Sequence, residues 1–114
     1  MKIEELKYLN REIEVLIDRP IGSMHPEAHF RYELNYGYIP GTMGGDGEEI
    51  DAYILDINFP IEKIKGEVIG IIHRLNDSEN KLLISVSKKT FTKSEIMKLT
   101  HFQEKFFKII ILLK

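Results

Sequence analysis

Acidic side chains stand at positions 46, 48, 49 and 51, with glycines threaded among them at 44, 45 and 47. Carboxylates at this density repel one another unless something positive sits between them. Hard divalent cations suit that place, because they take several carboxylate oxygens from a short, flexible loop. Asp46 and Glu48 are two residues apart, and on extended backbone such residues point to one side, ~6–7 Å from each other. A turn ahead of Asp51 can bring that third acid into the same volume. Asp77 and Glu79 form a second acidic turn, followed by Lys81. If the two turns are neighbours, five carboxylates and one ammonium gather at one end of the fold. Two metal ions ~4 Å apart, held by such acids, can fix a phosphate and a water together. The 114 residues include no cysteine, so disulfides and thiolate sites are excluded. Oxygen donors favour Mg²⁺, with Mn²⁺ as the alternative, over structural zinc.

Such a site needs rigid elements to hold it. Residues 12–17 alternate loosely and are rich in β-branched side chains, which predicts a strand. Pro20 and Gly22 end it, and 23–29 reads as a loop. Residues 30–39 are aromatic and strand-like, 41–47 form a turn, and 51–57 are a strand with Tyr53, Leu55 and Ile57 on one face. Residues 59–65 connect, 67–75 form an apolar strand, 76–80 a polar turn, and 81–86 the returning strand. The period then changes. Thr92-Lys93-Ser94-Glu95 has the form of a capping box, and Ile96, Leu99, Phe102 and Phe106 follow at helical spacing, so a helix is expected over 93–105. Residues 109–113 form a last strand or a buried tail. Short strands followed by one helix predict a β-rich α+β fold, a small antiparallel barrel with a C-terminal helix packed against it.

Length fits one domain over residues 1–114, with roughly 60–70% of the unfolded surface buried. The formal net charge of -2 and the lack of a basic, aromatic face argue against a nucleic-acid surface. The charged start lacks an apolar signal core, and the longest apolar run, 109–113, is too short to cross a bilayer. A cytoplasmic protein without a membrane partner is expected. Exposed barrel edges and an apolar tail make a homo-oligomer the expected assembly.

Two motifs agree in content and separation with one family. Asn35-Tyr36-Gly37-Tyr38 precedes Asp46 by eleven residues, and Asp46-Gly47-Glu48-Glu49-Ile50-Asp51 follows. In this the chain resembles the soluble family I inorganic pyrophosphatases, in a short and divergent form. They carry an Asp-x-Asp-Pro-x-Asp type motif at that distance from an Asn-Tyr-Gly-Tyr strand. Glu48 replaces the family's central Asp. Ile17-Asp18-Arg19-Pro20 looks like an early Ile-Glu-x-Pro, the turn from Asn76 to Lys81 like a second acidic loop with its phosphate-binding Lys, and Phe107-Lys108 like a closing Tyr-Lys pair without the phenol. The resemblance implies an oligonucleotide-binding-like (OB-like) barrel and Mg²⁺-dependent hydrolysis of pyrophosphate. It would give Asp46, Glu48, Asp51, Asp77 and Glu79 to metal, Tyr36, Lys81 and Lys108 to phosphate, and Asp51 or Glu48 to the nucleophilic water. A stretch that supplies a Lys, a Glu and an Arg to the family's site is shortened here to residues 21–34. Arg31, Arg19, His25 and His29 are the candidate replacements.

Each feature has a plainer reading. An acidic glycine turn alone is usually a solvated hairpin loop. Lys81 could be an ordinary hairpin lysine, and Asp77 and Glu79 ordinary turn acids. His25 and His29 flank Pro26, which argues against a helical metal pair. Phe102, Phe106 and Phe107 are expected in the core. Two other functions compete with pyrophosphate hydrolysis: hydrolysis of another phosphoanhydride, and a barrel that binds an anion or a partner without catalysis.

Overall fold

The computed structural model describes residues 3–114, so the charged start expected from the sequence lies partly outside them, at residues 1 and 2. The chain forms a 3-10 helix (Glu4–Tyr8), strands β1 (Glu12–Arg19), β2 (Asn35–Tyr38), β3 (Asp51–Ile54), β4 (Lys63–Arg74) and β5 (Asn80–Ser85), helix α1 (Lys93–Glu104) and strand β6 (Ile109–Leu113). The sheet order is β1-β2-β3-β5-β4-β6, and β1 also pairs with β4. That extra pairing closes five strands into a barrel and leaves β6 as a flap on β4. The expected OB-like barrel with a C-terminal helix is therefore present, with one difference in pairing. β3 and β5 run parallel, Asp51 opposite Lys81 and Ile54 opposite Ile84, so the barrel is mixed rather than wholly antiparallel.

Strand β4 holds the barrel shut. Its first half pairs with β1, from Glu67 to Lys63, and its second half pairs with β6, from Gly70 to Arg74. A bulge between Val68 and Gly70 separates the halves, bending the strand where its partner changes. Gly70 sits at that bend because a Cβ there would lie 2.8 Å from the Leu112 carbonyl oxygen.

The period-2 alternation of the strands feeds two cores. Leu82 and Ile84 of β5, with Val15, Ala52, Ile54, Val68 and Ile71, fill the barrel. Leu83 between them points the other way, with Tyr36, Tyr53 and Ile72, against Ile96 and Phe102 of α1. Both faces of β3 are thus buried. Ile57, expected beside Tyr53 and Leu55, packs with the barrel interior instead, because the strand ends at Ile54. The helix starts where expected. Thr92 Oγ1 accepts from Glu95 N at 3.1 Å, and Glu95 Oε1 accepts from Thr92 N at 3.0 Å, which is the reciprocal capping box.

Three expectations shift. β2 covers only residues 35–38 of the predicted 30–39 strand, because Tyr32 and Leu34 enter the core from irregular backbone. β4 begins at Lys63, inside the segment expected to be a connection. Phe106 is 56% exposed rather than core, since the helix ends at Glu104.

Candidate active site

The Asn-Tyr-Gly-Tyr motif resolves into four separate jobs. Asn35 is fully buried; its Oδ1 accepts from Ile21 N at 3.1 Å and its Nδ2 donates to the Phe59 carbonyl at 2.9 Å. It is a tie between loops, not a site residue. Tyr36 donates its hydroxyl to Asp51 Oδ2 at 3.0 Å. Gly37 lets β1 approach, because a Cβ there would sit 1.9 Å from the Leu16 carbonyl oxygen. Tyr38 pairs with Asp51 in the β2–β3 ladder. Burial first, and then the charge of Asp51, hold the Tyr36 phenol well above its ordinary range, so it stays a hydrogen-bond donor to that carboxylate.

The parallel β3–β5 pair places Asp51 directly beside Lys81. Lys81 is 2% exposed, and its Nζ donates to Asp51 Oδ2 at 2.8 Å and to Glu79 Oε2. A lysine this deep needs paired, hydrogen-bonded acids around it. Asp46 reaches the same cluster from the glycine turn. Glu79 is pushed up by burial and by the hydrogen bond it shares with Asp46, while that bond holds Asp46 below the usual carboxylate range. Both acids line one small recess with Asp51 and Lys81. Their turns touch at Gly45, where a Cβ would lie 2.2 Å from the Ser78 carbonyl oxygen. Only glycine allows the two acidic loops to close to that distance.

Beside this cluster opens a cavity of about 540 Å³. Asp51, Glu79 and Lys81 line it together with Tyr36, Asp18, Arg19 and Arg74. A bulge between Ile17 and Arg19 turns the end of β1, so that both Asp18 and Arg19 border the cavity. Burial raises the Asp18 carboxyl against the opposing pull of Arg19. Aromatic rings form the far wall. His25 lies parallel to Tyr32 at 6.2 Å between centroids, and Phe30 stacks with Phe106 at 5.9 Å.

The structure thus brings together Asp46, Asp51, Glu79, Lys81 and Tyr36 from the sequence-derived set. Glu48 is exposed, its backbone N–H bonded to Asp46 Oδ1 at 3.0 Å. Asp77 is not among the residues that line the cavity; its Oδ2 lies 3.3 Å from Arg74 Nη1. Two suggested phosphate ligands lie elsewhere. Arg31 donates Nη1 to the Gly22 carbonyl at 2.8 Å, which turns it away from the cavity. Lys108 is exposed beyond the end of α1 and does not border the cavity either. Arg19 is the member of the replacement set whose strand delivers it to the site. His25 also borders the cavity, but its Nδ1 accepts from Glu27 N at 3.1 Å and Ala28 N at 3.0 Å, a turn-closing role.

Arg74 is the residue that sequence reasoning missed. It is 4% exposed and forked onto Glu104, Nη2 to Oε2 at 2.7 Å and Nε to Oε1 at 3.0 Å. Burial alone would lower its pKa, but the Glu104 pair outweighs burial and holds it above the ordinary value. The signal was present as one cation closing an otherwise apolar strand, and one acid on the apolar side of a helix.

Among the described residues, no three His, Cys, Asp or Glu side chains converge on one point; Lys81 occupies the space between Asp51 and Glu79. The donor chemistry nonetheless fits a hard divalent ion. Every donor is a carboxylate oxygen, and Asp46, Asp51 and Glu79 line one small recess.

Fold and site define a small OB-like barrel whose rim carries acids, buried cations and a cavity, a layout suited to a polyanion. The inorganic pyrophosphatase family model matches residues 7–111, and the chain belongs to that family. The inorganic pyrophosphatase of Helicobacter pylori is 36% identical over 56 residues, 46% of this chain and 32% of that protein. That of Corynebacterium glutamicum is 31% identical over 75 residues, 59% of this chain and 48% of that protein. The match to these curated relatives therefore spans between a third and a half of their length. Among solved structures, the inorganic pyrophosphatase from Ehrlichia chaffeensis superposes with a TM-score of 0.68 at 21% identity, over 89% of this chain and 84% of that one. The one from Thermus thermophilus gives 0.60 at 18% identity, over 88% and 79%. At such identities these likenesses speak for the fold.

Proposed function

We propose that this protein hydrolyses inorganic pyrophosphate to two phosphates with the help of Mg²⁺, Mn²⁺ being the alternative ion. The observation that carries the reading is that Asp51 and Glu79 flank Lys81, with Asp46 lining the same recess from the glycine turn, beside a cavity that Arg19 also lines. Family membership supports the reaction class, and the all-oxygen donor set supports a hard ion.

Asp46, Asp51 and Glu79 would hold the metal, with Glu48 and Asp77 at the edge of the set. Bound there, the metal supplies a water of lowered pKa and neutralises charge on the leaving phosphate. The protein's own groups do the rest. Tyr36 fixes one oxygen of Asp51 and so the direction of that carboxylate's other lone pairs. Lys81, buried between the two acids that flank it, gives a desolvated ammonium to a phosphate oxygen, where it counts for more than in water. Arg19 faces the same volume from β1.

Phosphate release from pyrophosphate, measured with and without Mg²⁺ and against nucleoside triphosphates, tests this. Metal-dependent release specific to pyrophosphate is expected. Faster turnover of a nucleotide would move the substrate to another phosphoanhydride. Tight binding of pyrophosphate without any release would leave only an anion-binding barrel.

A further inference from the structure

Arg74 has two kinds of neighbour. On one side Glu104 takes its Nε and Nη2 as a fork. Glu104 is itself fixed, because it is 3% exposed and Tyr53 donates its hydroxyl to Oε2 at 2.5 Å. The Phe107 ring lies 3.6 Å from the guanidinium carbon. These contacts set the plane of the guanidinium. On the other side Nη1 stands 3.3 Å from both Asp77 Oδ2 and Glu79 Oε2. Tight charge-assisted bonds run ~2.7–2.9 Å, so this edge is loosely tethered. It is also the edge near Lys81's partner Glu79, on the cavity. A buried ion pair is weak evidence for a stabilising role, since apolar packing of the same volume often does as well. A guanidinium locked along one edge and loose along the other, at the wall of a cavity, has the geometry that phosphate recognition uses.

We propose that Arg74 is a substrate-binding residue that gives Nη1 to a phosphate oxygen of the diphosphate, and that Glu104 is the positioning residue that holds its plane. The assignment rests on the pyrophosphate reading above. It adds a second deeply buried cation to the site beside Lys81. It also links binding to the acidic loop, because Nη1 must leave Asp77 and Glu79 to meet the substrate.

The test uses the full chain with Mg²⁺. Pyrophosphate kinetics are paired with calorimetric binding of methylenediphosphonate, whose P–C–P bridge cannot be hydrolysed. Arg74→Lys keeps a charge and loses the fork. The double variant Arg74→Met with Glu104→Gln removes the cation without stranding a buried carboxylate. In each, KM for pyrophosphate and Kd for the diphosphonate should rise together, by ~10- to ~150-fold for the loss of a charge-assisted hydrogen bond, with kcat falling far less. Glu104→Gln should raise KM in the wild-type background and leave it unchanged in the Arg74→Lys background, a dependence that a merely structural acid would not show. Folded variants with wild-type KM and Kd would overturn the assignment. So would thermal collapse of all three, which would make Arg74 a structural partner of Glu104. A wild-type protein that neither hydrolyses pyrophosphate nor binds the diphosphonate would defeat the function reading first, and this assignment with it.

Discussion

The parallel pair of β3 and β5 carries a carboxylate site at each end, and the two could hardly be more different. At the start of the strands, Asp51 and Glu79 share one ammonium, and Glu79 crowds Asp46. Beyond their other end, Asp56 accepts from Ser85 Oγ at 2.7 Å, Val86 N at 3.0 Å, Ser87 N at 3.0 Å and Ser87 Oγ at 2.5 Å. Neutral donors satisfy Asp56 completely, so the site is closed and its purpose is to pin the chain leaving β5 to the chain leaving β3. The opposite end has acids in excess of its donors, and two of its carboxyls are displaced in opposite directions. Charge left unbalanced in a partly buried place is what binding and catalysis draw upon. The same two strands thus hold a lock at one end and an open site at the other.

Substitutions at the two ends should separate activity from stability. Asp51→Asn keeps the shape but removes the charge that faces Lys81 and Tyr36. At saturating Mg²⁺ it should lower kcat by ~10²–10³, the scale of losing one charge-stabilising group, with cooperative unfolding retained. Wild-type turnover in that variant would take Asp51 out of the mechanism. Asp56→Ala should do the reverse. Losing hydrogen bonds to a charged acceptor that is still partly solvated costs about 2 kcal/mol, visible as a lower denaturation midpoint, while KM and kcat per folded molecule hold. Loss of turnover without loss of stability there would erase the contrast between the ends. Gly45→Ala asks whether the open end depends on the approach of its two loops. The added Cβ would meet the Ser78 carbonyl at 2.2 Å, so the loops must part and Mg²⁺ affinity should fall, by roughly tenfold or ~1.4 kcal/mol. A calorimetric Mg²⁺ titration indistinguishable from wild type would show that the loops need not touch.

Much of the open end could be read in the chain beforehand, and the reason is local. Asp46 to Asp51 and Asp77 to Lys81 lie within two turns, where spacing alone limits geometry. The helix was legible for the same reason, since Thr92 and Glu95 satisfy each other three residues apart. What stayed hidden depends on long-range pairing. Arg74 and Glu104 are thirty residues apart, and nothing in either segment's period says that the end of β4 faces the end of α1. The parallel register of Asp51 on Lys81 was equally invisible, because β4 lies between those strands in sequence and the alternation of each strand is the same for either direction. Asp56 was missed because one acid after a strand has no pattern. Its partners Ser85 and Ser87 lie at and just past the end of the next strand but one.

Acid titration sharpens the comparison with its smallest effect. Burial raises the Asp56 carboxyl, but hydrogen bonds from Ser87, Val86 and Ser85 outweigh it and leave the group below its ordinary value. The folded protein therefore binds this proton less readily than the unfolded chain, whose Asp titrates near ~3.9. Stability from Asp56 is fully present above that unfolded value and is lost as pH falls through the lower, folded one. The difference in denaturation midpoint between wild type and Asp56→Asn should hold constant from neutral pH down to about 5 and then narrow below ~4. Taking the difference cancels the other acids, including those of the open end, which titrate alike in both proteins. A gap that stays constant to pH ~3 would mean that the Asp56 clasp works as well protonated as charged. The lock would then owe its strength to shape, and charge would matter at only one end of the strand pair.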